Sequence, residues 1–116
     1  IGTTTLDGVG LMILSFHERR RPTMIRTPEG RDLPASGSLW IEPETGRVWK
    51  TELRTGGRRG DRVEATITVT YLFVPRLELL LPGTMDEHYV GPGADIRCRA
   101  EYSNFRRFET DARIIR

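Results

Sequence analysis

Apolar and polar positions alternate with a period of two along most of this chain, and no stretch shows the period of a helix. The clearest run sets Val63, Ala65, Ile67, Val69, Tyr71 and Phe73 on one side and Arg62, Glu64, Thr66, Thr68 and Thr70 on the other. Successive side chains of a strand point to opposite faces, so this run predicts a long strand with one apolar face and one that tolerates water. Ile96, Cys98, Ala100 and Tyr102 alternate with Asp95, Arg97, Arg99 and Glu101 in the same manner. Phe105 falls out of phase with Tyr102, which predicts a bulge at Ser103-Asn104. Val9 to His17 is apolar nearly throughout and reads as a strand covered on both faces. Thr23 to Arg26 and Met85 to Val90 read as further strands, Pro28 to Gly37 and Gly56 to Asp61 as loops, and Leu77 to Gly83 as an apolar connection.

The segment from Ser38 to Thr51 carries the strongest hairpin signal. Two runs of β-formers flank Pro43-Glu44-Thr45-Gly46, where Pro presets φ and Gly supplies a positive φ. With residues 43 to 46 as the loop, Glu42 pairs with Arg47, Ile41 with Val48 and Trp40 with Trp49, placing both indoles on one face. A bulge would slip that register by one residue. No segment of ten or more residues carries the i, i+3, i+4, i+7 apolar spacing of an amphipathic helix. The expected fold is therefore all-β, an antiparallel meander forming a curved open sheet or a partial (half) β-barrel, with residues 1–116 as a single domain.

Composition narrows the picture modestly. A chain of 116 residues with 37% hydrophobic and 29% charged positions suits one folded core. The formal charge of +2 does not make a basic face, because acidic residues are interspersed with the arginines throughout. Lys50 is the only lysine, a skew that fits the base composition of a source genome better than a phosphate-binding role. Cys98 is alone, which excludes an intramolecular disulfide and a cysteine zinc site. No run approaches the ~18 apolar residues of a membrane-spanning helix. The opening Ile1-Gly2 lacks an initiator Met, a basic leader and a cleavage site, so the expectation is a processed or excised piece of a longer protein.

The chemistry-bearing residues are few. His17, His88 and Cys98 are the conventional candidates, and Asp86 and His88 share strand parity, yet two ligands are too few for a metal and no third stands nearby. No nucleophile elbow, metalloprotease pair, phosphate loop or dinucleotide fingerprint is present. No catalytic residue, metal or cofactor is expected. Arginines 19–21, 58, 59, 97, 99, 106 and 107, interleaved with Tyr102, Phe105 and Phe108, offer a single-stranded nucleic-acid reading, which Asp95, Glu101, Glu109 and Asp111 oppose. The apolar alternation offers a different one. Trp40, Trp49, Leu53, Tyr71, Phe73, Met85 and Tyr89 would line the concave side of a bent sheet and take a lipid or other apolar ligand, although a packed interior gives the same pattern. A third possibility is an interaction module whose sheet meets a partner chain or a second copy.

The string Gly37-Ser38-Leu39-Trp40-Ile41-Glu42-Pro43-Glu44-Thr45-Gly46-Arg47-Val48 resembles a hairpin of bacterial lipoprotein-sorting and lipoprotein-carrier (LolA-like) proteins. Later pieces are similar to the ends of secreted bacterial proteins with this hairpin. They are the Thr-alternating strand to Tyr71, Leu81-Pro82 with Met85, Glu87 and Tyr89, and Ala100 to Phe108. The resemblance spans residues 37 to 108 and implies an unclosed β-barrel whose concave apolar face, covered by helices, holds acyl chains in the periplasm. It implies a non-enzymatic protein, periplasmic or secreted. This chain departs from that pattern in showing no lid helix.

Overall fold

The computed structural model describes residues 2–58, 60–112 and 114. It contains seven strands, β1 (Gly2–Leu6), β2 (Val9–His17), β3 (Ala35–Ile41), β4 (Val48–Gly56), β5 (Glu64–Val74), β6 (Leu79–Gly91) and β7 (Ala94–Glu101). No helix is present among the described residues. All pairings are antiparallel and spatial order equals chain order, so the fold is a meander. The sheet is open, with β1 and β7 as its two edges.

The tryptophan hairpin closes as its turn chemistry requires. Gly46 adopts a φ of 75°, the Gly46 amide donates to the Glu42 carbonyl, and the Glu42 amide donates to the Arg47 carbonyl. Ile41 opposes Val48, but one step further in Trp40 opposes Lys50. Trp49 is thus the extra residue of a bulge, and the expected Trp40–Trp49 pair does not form. The physical reason is a one-residue insertion that resets parity for the rest of β4. A second bulge lies in β6, where Tyr71 opposes Pro82, Thr70 opposes Thr84 and Gly83 is left over.

Several local expectations change. Leu79 to Pro82 is not a connection but the start of β6, and the link from β5 is a tight turn in which the Leu77 amide donates to the Val74 carbonyl. Ser103-Asn104 follows the end of β7 rather than bulging it, with Asn104 at a φ of 56°. Thr23 to Arg26 contributes only an isolated bridge, Arg26 to Asp32. β2 is not covered on both faces, since Ser15, Phe16 and His17 are all exposed.

One layer of sheet makes a thin molecule. Its extents are 55 × 48 × 28 Å and its radius of gyration is 18.2 Å, against about 13 Å for a compact domain of this length. Among the described residues only Leu11, Leu33 and Leu77 are buried large apolar residues, and no side chain is fully enclosed. The two elements outside the sheet sit at its ends. The 18–34 loop is pinned by Glu18, which accepts from the Ala35 and Met24 amides at 3.0 and 3.1 Å, and by Thr55, whose hydroxyl donates to the Leu33 carbonyl at 3.0 Å. The segment after β7 is anchored by the Tyr102 amide donating to the carbonyl of bulged Gly83, and by Arg76 donating to the Phe105 carbonyl.

Candidate functional site

The ladder registers sort side chains onto two unlike faces, because directly opposed residues of an antiparallel pair point the same way. One face gathers Ser38, Lys50, Glu52, Arg54, Thr66, Thr68, Thr70, Asp86, His88, Asp95, Arg97, Arg99 and Glu101. Its contacts confirm the sorting: Ser15 to Ser38 at 3.3 Å, His88 Nε2 to Asp95 at 2.8 Å and Arg99 to Asp86 at 3.7 Å. The opposite face carries Met12, Leu14, Phe16, Leu39, Leu53, Ile67, Val69, Tyr71, Phe73, Leu80, Met85, Ile96 and Cys98. Glu87 is the one carboxylate on the apolar ladder among the described residues, and the Tyr89 phenol donates to it at 2.8 Å. That hydrogen bond, then desolvation, then the charge of Glu87 hold the Tyr89 hydroxyl above the usual phenol range.

Five of the seven residues expected as a lining share the apolar face: Leu53, Tyr71, Phe73, Met85 and Tyr89. Trp40 does not. It pairs with Lys50 on the polar face, with the ammonium 4.6 Å from the ring centroid. Trp49, at the bulge, has no single cross-strand partner, and its indole N–H donates to Glu42 at 3.3 Å. The shared parity expected of Trp40, Trp49 and Leu53 is broken by that bulge.

The apolar face is partly roofed at one place. Tyr102 and Phe105, brought over by the anchored C-terminal segment, meet Val69, Tyr71, Pro82 and Met85 around an open cleft of about 300 Å³. That is the lower end of the ~300–1,000 Å³ range of small-ligand sites. Phe73 flanks it at 37% exposure, with the Arg47 guanidinium stacked 5.0 Å from its ring. The parity rule could not have found Phe105, because it lies beyond the last strand and reaches the cleft through backbone anchoring. A larger open hollow of about 660 Å³ lies between the β1–β2 turn and Glu42, Pro43 and Glu44, lined by backbone and mixed side chains.

The remaining candidates are dispersed. Asp86 faces Arg99 while His88 faces Asp95, so the two do not act on a common point. No three of His, Cys, Asp and Glu gather among the described residues. His17 contacts Arg58 at 3.3 Å, and Cys98 is exposed on the apolar face. Arg97 and Arg99 lie on the polar face among acids, whereas Tyr102 and Phe105 line the apolar cleft, so the cations and rings of the nucleic-acid reading point apart. Arg59 of that reading lies outside the described residues. No helix is long and apolar enough to cross a membrane among the described residues. Comparison with protein-family models, with curated proteins and with solved structures gives no match.

Proposed function

We propose that this domain is a non-enzymatic binding protein that takes a lipid or other apolar ligand on the apolar face of its sheet, with the cleft under Tyr102 and Phe105 as the point of entry. One observation carries the reading: one ladder face is mainly apolar, has Glu87 as its one carboxylate among the described residues, and is covered only in part, by the segment carrying Tyr102 and Phe105 and by Leu33 at Thr55. Exposed contiguous apolar surface of this extent marks a site of binding. Fully covering an exposed large side chain contributes ~1.5–3 kcal/mol, and Tyr71, Phe73 and Met85, each already partly covered, contribute a fraction of that apiece toward retaining an acyl chain. The hairpin's resemblance to lipoprotein carriers supports a lipid as the ligand and a periplasmic or secreted setting. The lining is Leu53, Tyr71, Phe73, Met85 and Tyr89, together with Val69, Pro82, Tyr102 and Phe105; Trp40 stands outside it.

The test is binding of a fluorescent acyl probe, with native mass spectrometry of the freshly purified protein. Saturable binding and co-purified lipid are expected. Met85→Glu should abolish binding, and Trp40→Phe should leave it unchanged. Absence of both lipid and probe binding, or equal loss in the two variants, defeats the reading.

A further inference from the structure

We infer that a second copy of this chain closes the apolar face, two sheets packing face to face into a sandwich around the bound ligand. The inference rests on the reading of that face as the binding surface and names what covers the rest of it. Area is the first argument. The chain exposes 9156 Å², whereas a compact monomer of 13.2 kDa exposes about 6,400 Å². The excess of roughly 2,700 Å² is partly loop and tail, but the sheet contributes, since nearly all positions of its middle strands are half-buried or exposed, with Gly37, Thr55 and Gly83 as the buried exceptions. Seven strands ~4.8 Å apart and about nine residues long present a footprint near 30 × 30 Å. Two such faces in contact remove roughly 1,800 Å², within the ~1,200–2,000 Å² of a specific stable interface.

The second argument is self-compatibility. A two-fold interface sets a surface against itself, so like charges on it would meet. The polar face, with its mixed cations and acids, would bury both signs at a desolvation cost. The apolar ladder has Glu87 as its one carboxylate among the described residues, hydrogen-bonded by the Tyr89 hydroxyl, and the Arg47 guanidinium over Phe73 as a counter-charge, so it brings far fewer like charges against its own copy than the polar face does. Edge pairing through β7 is a poorer alternative. Asp95, Arg97, Arg99 and Glu101 make that strand a charged edge of the kind that resists pairing. A small ligand, finally, fills the cleft of about 300 Å³ but leaves Phe16 exposed and Met12, Leu14 and Leu39 only half-buried on the far strands.

The unaltered protein supplies its own probes. Met12 and Met85 lie on the apolar face, while Met24, in the 18–34 loop, is 92% exposed. Sedimentation of delipidated protein over nanomolar to high micromolar concentration should show a shift from 13.2 kDa to twice that mass. Peroxide oxidation over the same series should slow at Met12 and Met85 as the dimer forms, with Met24 unchanged. Val69→Asp should hold the chain at monomer mass, and Thr68→Asp, one residue away on the polar face, should leave the dimer intact. A monomer at every concentration overturns the inference, as does a dimer whose Met12 and Met85 oxidise at concentration-independent rates. Lipid carried by a monomer leaves the ligand reading standing and removes this one. A protected dimer without lipid does the reverse.

Discussion

Gly37 and Gly10 offer a paired test of how closely the strands of this sheet approach. A methyl group at Gly37 would lie 1.9 Å from the Glu52 carbonyl oxygen and 3.0 Å from Phe16 Cε1, so Gly37→Ala must push β3 away from backbone as well as from a ring. Backbone cannot rotate aside as a side chain does, which puts the cost at the upper part of the overpacking range, about 2–3 kcal/mol. Gly10, in neighbouring β2, has nothing within 4 Å of the same added atom, and its φ is not positive. Gly10→Ala should therefore stabilise by about 0.5–1 kcal/mol, the usual difference between Ala and Gly inside a strand. With an unfolding entropy of ~2.1 cal/mol/K per residue, each kcal/mol corresponds to about 4 °C in a chain of this length. Thermal unfolding followed by circular dichroism, at one protein concentration, should show Gly37→Ala lower by about 8–12 °C and Gly10→Ala higher by about 2–4 °C. If Gly37→Ala melts with the parent, or Gly10→Ala falls as far as Gly37→Ala, the described spacing of β2, β3 and β4 is wrong.

Three further outcomes follow from polar contacts. The Asp32 carboxylate accepts from the Thr23 amide at 2.9 Å and hydroxyl at 3.2 Å and faces Arg21 at 3.4 Å, and the Thr23 amide bond leads the effects that hold it below the usual carboxylate range. A depressed folded pKa gives stability present above the unfolded value and lost as pH falls through the folded one; acid unfolding below about pH 4 should flatten in Asp32→Asn. Tyr89 has the opposite sign, its raised pKa favouring the neutral phenol, so its contribution is present below the unfolded value and fades as pH rises through the folded one. Spectrophotometric titration should show one of the three tyrosines ionising late, and Glu87→Gln should return it toward the others. A double-mutant cycle of Lys50→Met with Trp40→Leu should return a coupling of about 0.5–1 kcal/mol, the value of an exposed cation–π pair; no coupling would mean the ammonium does not rest on the ring.

The architecture was legible where one rule acted alone. From Ala65 to Tyr71, threonines and apolar residues alternate without interruption, and β5 carries them on the predicted faces. The hairpin loop was readable because Pro43 and Gly46 constrain backbone angles regardless of tertiary context. Reading failed at the bulges. Neither Trp49 nor Gly83 announces itself as the extra residue, and each shifts parity, which is why Trp40 was assigned to the wrong side and Leu79 to Pro82 to no strand. β1 was missed because Thr3-Thr4-Thr5 has no alternation to detect. Most of the apolar lining could be named from parity, Tyr102 included, but Phe105 could not, since it is placed by a contact of its carbonyl with Arg76 that leaves no trace in hydropathy.

Every strand of this sheet is hydrogen-bonded only to its neighbours in the chain. Such a ribbon has no keystone: support reaches the middle strands from both sides and the outer ones from a single side. Amide protection should accordingly form a gradient, slowest exchange in β4 and β5 and fastest at β1 and β7, with loss proceeding inward as a frayed cloth unravels.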